Sequence, residues 1–320
     1  MTLVPDRYKH AAIIASTAPL PKRLRVPARL QLLSRFHRAK ARRADVLVVV
    51  HPKCGGTWLR VMLYRLYQNK YGLRSRRVFK TDELRRENDA LPRFLVSNGH
   101  YSYEGVIEEA ARNSNAGLVL DDKKVIFLAR HPCDIVVSWY LQLTKRTKAY
   151  KRELINHSLR SPVRRGALSL YEFAVHDEIG LPGLIEYLNT WAYNLSQLPQ
   201  SLLIRYEDLR AEPADTLRRI ADFIGEPFSG AEMEEAVAFA SFDNLKALER
   251  ANYFRNASLT LRNANDPDMF KVRRGKVGGY RDHFTPEQLA QIDELVRNRL
   301  SPVFGYGESP AQPARAAQEA

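Results

Sequence analysis

The stretch VLVVVHPKCGGTWLRVMLYRLY, Val46 to Tyr67, decides how this chain folds. Its first five residues, Val46 to Val50, are all apolar and mostly β-branched, which predicts a central strand buried on both faces. A proline and two glycines follow, and from Thr57 onward the apolar residues recur at helical spacing. The stretch therefore predicts a strand, a tight glycine loop and a helix.

The loop in this stretch is suited to hold an anion. The first turn of a helix leaves backbone N–H groups without partners, and the helix macrodipole favours negative charge there. Lys53 adds a cation and Thr57 a hydroxyl. In a Walker P-loop the lysine follows the second glycine, whereas Lys53 precedes Gly55 and Gly56. We predict a phosphate-like anion here; the alternative is a glycine turn without a ligand.

Length and composition fit one large α/β domain. The chain has 320 residues, of which 45% are hydrophobic and 27% charged, values typical of soluble globular proteins. Its apolar runs are shorter than the roughly 20 residues of a membrane span, and we read no secretory signal at the N-terminus. Two cysteines, Cys54 and Cys133, favour a reducing compartment. We therefore expect a cytoplasmic protein.

The net charge of +14 indicates an anionic partner or surface. Much of the excess lies in Pro21 to Arg43, which contains nine lysines and arginines and no acid. If the second half of this segment is helical, Leu32, Leu33 and Phe36 form a small apolar face on a basic helix. Residues 1–44 are therefore a basic N-terminal extension, which either contacts the inner membrane surface or packs a few leucines on the domain.

Three parts of the chain have weaker patterns. Residues 1–20 show no strong periodicity, so we expect irregular structure. The polar segment after Tyr71 predicts one short helix with Thr81 as its N-cap. Residues 306–320 form a tail rich in alanine, proline and glutamine, for which we expect disorder. The main domain is thus predicted to cover residues 45–305.

Two further strands predict side chains at the same edge of the sheet. VIFLARHPCDIVVSWY reads as a buried strand followed by a helix, with Arg130 at the strand end and Ser138 about two turns into the helix. RFLVSNGHYSYEG, from Arg93, reads as a short strand that ends just before His100. Since ligands of open α/β sheets bind outside the carboxyl ends of the strands, both stretches belong to the predicted site.

The second half of the chain adds another strand and a second candidate anion loop. SLLIRYEDL, from Ser201, is predicted to be a strand, and the helix after it is predicted to end at Gly225. Further on, Arg273 and Arg274 precede Gly275 in a basic loop bounded by glycines. Such a loop can place amides and guanidinium groups around phosphate oxygens.

Taken in order, these motifs resemble those of the soluble sulfotransferases that use 3′-phosphoadenosine 5′-phosphosulfate (PAPS). HPKCGGTW resembles PKSGTTW, with Cys54 in place of the usual serine and Gly56 in place of the usual threonine. RHPCDIVVSWY resembles RNPxDxxVSxY, and RRGKVGGYRDHFT resembles RKGxxGDWKNHFT with Tyr280 in place of tryptophan. The resemblance covers about residues 45 to 305.

The resemblance implies a fold and a reaction. The fold is a single α/β domain with a central parallel sheet flanked by helices, like that of P-loop kinases, with PAPS bound at the strand–loop–helix. The reaction is sulfuryl transfer from PAPS to a hydroxyl or amine of a carbohydrate, glycolipid or small-molecule acceptor. Adenosine 3′,5′-bisphosphate (PAP) is the product, and no metal is required.

The resemblance also implies which residues bind the nucleotide. The glycine loop would hold the 5′ side, the two basic motifs the 3′-phosphate, and aromatic side chains the adenine. These residues are Lys53, Cys54, Gly55, Gly56, Thr57, Trp58, Arg130, Ser138, Tyr206, Phe242, Arg273, Arg274 and Gly275.

His100 is the candidate general base, because the unperturbed pKa of histidine suits proton transfer near neutrality. The family carries its catalytic histidine at the end of this strand, after a lysine whose position Asn98 takes here. Lys53 is the second catalytic candidate, since its charge would stabilise the sulfuryl oxygens. His51 and His131 lie beside the two anion motifs and are weaker candidates.

Cys54 and Cys133 both lie beside predicted helix N-termini, where a thiolate is favoured. This placement predicts sensitivity to oxidation, and the alternative is that each fills a tight loop.

The acceptor is predicted to bind the segments around residues 70–115 and 144–180. Their basic, aromatic character, with Tyr101, Tyr103, Tyr150 and Tyr171, permits a carbohydrate, a glycolipid, a phenolic small molecule or an acidic polysaccharide.

Two other functions remain open. A P-loop-type kinase shares the strand–loop–helix, but the position of Lys53 and the lack of a clear strand-end aspartate for Mg²⁺ disfavour it. A non-enzymatic protein that binds anionic lipid or polyanions would explain the charge but not the ordered motifs. The sequence gives no indication of oligomeric state.

Overall fold

The computed structural model describes residues 4–98, 120, 122–160, 162–164, 166–256, 259 and 275–307. Its centre is a parallel four-stranded sheet in the order β2–β1–β3–β4. The strands are Val46–Val50 (β1), Phe94–Ser97 (β2), Lys124–Ala129 (β3) and Ser201–Arg205 (β4).

Strand β1 is the central strand that its sequence predicts. All five of its residues are buried, so both of its faces are covered. It pairs with β2 on one side and β3 on the other, which aligns Val48 with Val96 and Ile126. The predicted α/β fold with a central parallel sheet is thereby confirmed.

Helices surround the sheet. The helices of the described residues are Asp6–Thr17 (α1), Lys22–Arg43 (α2), Gly56–Tyr71 (α3), Pro132–Leu141 (α4), Ala149–Ser158 (α5), Leu170–Val175 (α6), Leu181–Gln197 (α7), Tyr206–Ala211 (α8), Pro213–Ile224 (α9), Gly230–Phe239 (α10), Phe242–Arg250 (α11) and Pro286–Arg299 (α12). Helix α3 packs against α10, α7 packs against α4 and β4, and α9 packs against β3 and β4. A π-helical turn, Gln142–Arg146, follows α4, and short 3-10 turns span Gly279–His283 and Pro302–Phe304.

The strand order reverses between β1 and β3. From β1 the chain crosses to β2 on one side, and then returns to β3 on the other side. In open α/β sheets such a reversal leaves a crevice outside the carboxyl ends of the two strands. The glycine loop after β1 and Arg130 after β3 lie at this crevice.

Most predicted helix ends are found in the structure. Gly225 ends α9 with a positive φ of 85°, as expected of a C-terminal glycine. Pro132 begins α4 at its first position. Thr285 and Gln288 form a capping box at the start of α12.

The prediction of irregular structure in residues 1–20 is wrong, because Asp6–Thr17 forms a helix. The buried Arg29 of α2 donates to Thr17 Oγ1 at 2.7 Å and to the carbonyl of Ile14 at 3.2 Å, in the last turn of α1. It also lies 3.8 Å from a carboxylate oxygen of Glu153 on α5. Tertiary contacts of α2 therefore stabilise a helix whose own apolar periodicity is weak.

The basic segment packs its apolar face against another helix of the protein. Helix α2 buries Val26 and Leu33 against Leu154 of α5, while Leu32 is exposed. The buried face is thus rotated relative to the predicted one and includes the polar His37. None of the helices in the described part of the chain has the length and hydrophobicity that a bilayer span needs.

Two local predictions are wrong and one lies mainly outside the described residues. Around Thr81 the chain forms hydrogen-bonded turns instead of a helix, since the Glu83 carboxylate accepts from the amides of Lys80 and Thr81. The predicted strand from Ser201 ends at Arg205, where helix α8 begins. The predicted tail lies outside the described residues from residue 308 onward.

Candidate functional site

A cleft of about 1310 Å³ opens at the carboxyl ends of the strands. Segments that follow all four strands contribute to its walls. Of the residues predicted to bind the nucleotide, those that line it are Lys53, Gly55, Gly56, Thr57, Trp58, Arg130, Ser138, Tyr206, Phe242 and Gly275.

The glycine loop presents backbone donors to this cleft. Within the described residues, the amides of Gly55, Gly56 and Thr57 have no hydrogen-bond acceptor, as expected at a helix N-terminus. Lys53 has a φ of 84°, a conformation that lysine rarely adopts and that costs roughly 1–3 kcal/mol. The loop is therefore built to receive an anion, and it holds strain at the lysine.

Tyr206 packs directly on this loop. A Cβ atom at Gly55, whose φ is 90°, would lie 2.5 Å from Cδ2 of Tyr206, so only glycine fits. The tyrosine ring makes an edge contact with Trp58, with ring centroids 5.9 Å apart. The Arg130 guanidinium lies 4.2 Å from the ring centroid of Tyr206, in a cation–π contact. One tyrosine thus joins the two anion motifs.

Arg130 is fixed at the junction of three segments. Its guanidinium donates to the carbonyl of Lys53 at 3.1 Å, to the carbonyl of Lys276 at 3.2 Å and to Asp134 Oδ2 at 3.4 Å. Its buried Nε has no hydrogen-bond partner among the described residues. A buried donor without an acceptor costs free energy, and an oxygen of a bound anion would satisfy it.

Asp134 holds the loop that follows Gly275. This buried carboxylate accepts from the amide of Gly278 at 2.9 Å and from that of Tyr280 at 3.0 Å. It therefore ties the start of α4 to a loop about 145 residues later in the chain. No role of Asp134 was predicted, although an acidic residue two positions after Pro132 and close to a strand end is a signal that the sequence contains.

Aromatic and basic side chains form the wall beside Gly275. The indole of Trp58 donates to the carbonyl of Ala240 at 2.7 Å, which fixes the ring. The Arg210 guanidinium lies 5.4 Å from the Trp58 ring centroid. A Cβ atom at Gly275 would lie 3.6 Å from Phe242 and 3.8 Å from Arg210. Arg210 was not predicted, because nothing near it in the chain distinguishes it from a surface arginine.

Some predicted residues lie outside the described part of the chain. They are His100, Arg273, Arg274, Tyr101 and Tyr103. Asn98, two residues before His100, is described and lines the cleft at the end of β2.

His131 has a structural role. Its Nδ1 accepts from the amide of Cys133 at 3.3 Å, and its ring stacks on Tyr280 at 5.1 Å between centroids. Burial lowers its pKa to about 4, so the ring is neutral at pH 7. His51 is also buried, with its Nδ1 2.7 Å from the carbonyl of Pro52.

The prediction that the two cysteines favour thiolates is wrong. Cys54 and Cys133 are both free and fully buried. Burial raises the pKa of each thiol above its ordinary value, and this outweighs the helix N-termini nearby. Cys54 belongs to the hydrophobic core and does not line the cleft, so its side chain is not placed to bind the nucleotide.

The far wall of the cleft is basic and comes from several distant segments. Helix α5 contributes Tyr150, and burial raises the pKa of its phenol. Burial also lowers the pKa of Arg146 in the π-helical turn. Tyr171 does not line the cleft; its hydroxyl bonds to Gln291. The lysines, arginines and histidine on this side are Arg7, His10, Lys40, Arg74, Arg77, Lys80, Arg86, Lys145, Arg146, Lys148 and Lys151.

Comparison with known proteins places this geometry in context. A family model described as a sulfotransferase domain matches residues 43–304. Flavonol 3-sulfotransferase from Flaveria bidentis is 24% identical over 279 residues, which cover 82% of this chain and 83% of that protein. Cytosolic sulfotransferase 5 from Arabidopsis thaliana is 26% identical over 292 residues, with 85% and 84% coverage.

A solved structure has a similar fold. Mouse sulfotransferase SULT7A1 complexed with PAP superposes with a TM-score of 0.52 at 19% identity. The match covers 83% of this chain and 88% of the mouse chain. At this identity the likeness establishes the fold.

Proposed function

The chain belongs to the sulfotransferase domain family, and from this premise we propose that it transfers the sulfuryl group of PAPS to a hydroxyl or amine of a carbohydrate, glycolipid or small-molecule acceptor. The observation that carries the proposal is the meeting of the glycine loop, Arg130 and Gly275 in one cleft at the carboxyl ends of the strands.

The residues present fit the nucleotide. The amides of Gly55 to Thr57 and the buried Nε of Arg130 are donors without acceptors among the described residues. Trp58 and Phe242 offer aromatic surfaces in the same cleft. We assign the loop amides to the 5′ side of PAPS, Arg130 and Ser138 to its 3′-phosphate, and the aromatic side chains to its adenine. Arg273 and Arg274 remain predicted ligands of the 3′-phosphate.

The chemistry requires charge stabilisation and positioning more than covalent participation by the protein. PAPS supplies the sulfuryl group when it is bound. The Lys53 ammonium would offset the negative charge that develops on the oxygens around sulfur. The bond from the acceptor oxygen to sulfur forms as the bond from sulfur to the phosphate oxygen breaks.

His100 would take the proton of the acceptor hydroxyl, since a base near neutral pKa is suited to this transfer. The position of Asn98 in the cleft supports this proposal, because the chain leaves β2 at the edge where the glycine loop lies. His131 is the weaker candidate, because its ring is stacked on Tyr280 and burial lowers its pKa to about 4.

Calorimetry with PAP, without Mg²⁺, tests the function. We expect tight binding that falls at least about 100-fold for AMP, because the 3′-phosphate contacts are lost, and ATP should also bind weakly. Arg130→Met should reduce the affinity for PAP and leave that for AMP nearly unchanged. Arg218→Met, at an exposed residue paired with Asp215, is the matched control.

Other outcomes would favour the two alternatives. Equal affinity for PAP and AMP would overturn the assignment of Arg130. Binding of ATP that depends on Mg²⁺ would support the kinase. Polyanion binding with a steep salt dependence and no transfer of sulfate would support a non-enzymatic protein.

A further inference from the structure

An arginine-rich segment next to the cleft is held rigidly without regular secondary structure. Residues 73–79 follow α3, and the Glu87 carboxylate accepts from the amides of Arg74 at 2.7 Å and Ser75 at 3.1 Å. The buried Arg60 donates from Nε to the carbonyl of Phe79 at 2.6 Å. The side chain of Asn256 bonds to both the amide and the carbonyl of Val78, each at 2.9 Å. The backbone of this segment is therefore fixed on both sides.

These contacts bring guanidinium groups together around a second cavity of about 530 Å³. The described residues that line it are Arg7, Arg74, Ser75, Arg76, Arg77 and Arg255. The amide of Arg255 donates to the carbonyl of Arg76 at 3.0 Å, so two distant parts of the chain are joined at this point. The Arg76 guanidinium also lies 4.9 Å from the ring centroid of Tyr253.

The arginines of this cavity have few acidic neighbours in the described part of the chain. Within the described ranges, none of the ion pairs involves Arg74, Arg77 or Arg255. The nearby Glu87 carboxylate is engaged by backbone amides. Like charges held close together repel, and partial burial between protein walls strengthens the repulsion. A bound anion would relieve it.

The arginine cavity continues into the cleft of the proposed reaction. Arg7, Arg74, Ser75 and Arg77 line both cavities. Along the cleft, lysines and arginines outnumber carboxylates by more than two to one. A molecule that reaches the glycine loop from this side therefore passes through a region of positive potential, which raises the local concentration of anions.

We infer that the acceptor is itself an anion: a hydroxylated molecule that carries carboxylate, sulfate or phosphate groups, which the arginine cavity binds while a hydroxyl faces Lys53. This inference rests on the proposed function, because it assigns the acceptor of the same site. Guanidinium groups suit these ligands, since each can donate two parallel hydrogen bonds to such a group. A neutral phenol would use none of these charges.

The test compares tetragalacturonic acid with its methyl ester, which has the same hydroxyl groups and no charge. Binding is measured to the full chain saturated with PAP, so that the nucleotide site cannot take the probe. We expect the acid to bind at least about tenfold more tightly than the ester, and the preference to shrink in high salt. Vesicles of phosphatidylglycerol and phosphatidylcholine form a second pair, which distinguishes a lipid headgroup from a soluble acid as the source of the anion.

The double variant Arg74→Ala/Arg77→Ala should lower the affinity for the anionic probe about tenfold or more and leave that for PAP within twofold. Its matched control is Arg85→Ala/Arg218→Ala, which removes the same charge at residues that line neither cavity. Equal losses in both double variants, or no preference for an anionic probe, would overturn the inference. Failure to bind PAP would instead refute the proposed function, and the anionic probe would then be titrated into the chain without nucleotide, which keeps the two results distinguishable.

Discussion

The two halves of the cleft are built in different ways. We assign the donor to the half around the glycine loop and Arg130, the donor half, which consists of short loops at strand ends whose backbone is fixed by hydrogen bonds. We assign the acceptor to the other half, the acceptor half, which is lined by long basic side chains from α1, the segment 73–79 and the π-helical turn. The donor half depends on backbone conformation and the acceptor half on charge. Substitutions in the donor half should therefore change the affinity for PAP, and substitutions in the acceptor half should change the KM for the acceptor.

Removing the proposed base should affect turnover and not the binding of the nucleotide. His100→Ala is expected to lower turnover about 10²- to 10⁴-fold, because general base catalysis typically contributes that much. The affinity for PAP should stay nearly unchanged. Steady-state kinetics and calorimetry measure the two quantities, and added imidazole should restore part of the activity. Normal turnover in this variant would remove His100 from the mechanism.

A methyl group at Gly55 should break the donor half alone. Gly55→Ala would place Cβ 2.5 Å from Tyr206 and force a left-handed φ on alanine, so the loop must move. We expect the affinity for PAP to fall on the order of 100-fold, equivalent to about 2.7 kcal/mol.

Gly72→Ala is the matched control, because Gly72 also has a positive φ but a Cβ there meets no atom within 4 Å. It should lower stability by about 1 kcal/mol and leave PAP binding unchanged. Equal losses of PAP affinity in Gly55→Ala and Gly72→Ala would mean that backbone strain, and not the contact with Tyr206, causes the loss.

The buried His131 should make the donor half sensitive to acid. Burial lowers its pKa from 6.5 to about 4, so between these values the unfolded chain binds more protons than the folded one. The neutral ring therefore contributes fully to the free energy of unfolding above pH 6.5. This contribution is lost as the pH falls to 4, by at most about 3 kcal/mol.

The variant His131→Asn keeps an N-cap and removes the titrating ring. Denaturant unfolding should show its stability approaching that of the unmodified protein as the pH falls from 6.5 to 4. His157→Asn, at an exposed position, is the control. Parallel stability curves over this range would contradict the prediction.

Replacing Asp134 should weaken the donor half moderately, because its carboxylate links two loops there. In Asp134→Asn the amide oxygen can accept from only one of the amides of Gly278 and Tyr280, while the NH₂ group faces the other. We expect roughly tenfold weaker PAP binding, or about 1.4 kcal/mol. Asp215→Asn, in an exposed ion pair, should have no effect on calorimetry with PAP.

Loosening the N-terminal helices should affect only the acceptor half. Arg29→Met removes the hydrogen bonds to Thr17 and Ile14, so α1 is less firmly held beside the cleft. We expect the KM for the acceptor to rise roughly fivefold, equivalent to about 1 kcal/mol, with unchanged PAP affinity. Arg25→Met is the control. Arg25 also pairs with Glu153, but its side chain does not bond to Thr17 or Ile14 of α1. A change in PAP affinity would contradict the separation of the two halves.

Features built from neighbouring residues could be predicted from the sequence, and contacts between distant residues could not. The strand–loop–helix from Val46 is contiguous in the chain, and its apolar runs, glycines and caps are local signals, so β1, α3 and the position of Arg130 were predicted. By contrast, Asp134 meets Tyr280 across 146 residues of sequence, and Arg210 reaches Trp58 only through the fold. Both were missed.

The errors have a similar origin. Helix α1 depends on Arg29 of another helix, and its own sequence gives little indication of helical structure. For Cys54, the nearby helix N-terminus was visible in the sequence but the depth of burial was not. Burial has the larger effect on the pKa of the thiol, and it is a property of the whole core.

The helices α1 and α2 lie almost entirely ahead of the residues matched by the family model, yet Arg7, His10 and Lys40 line the cleft. The side chains that these helices place in the cleft can therefore be exchanged without changing the segment that the family model matches. In engineering terms, exchanging residues 1–42 between related chains offers a route to new acceptors that leaves the glycine loop and the sheet untouched.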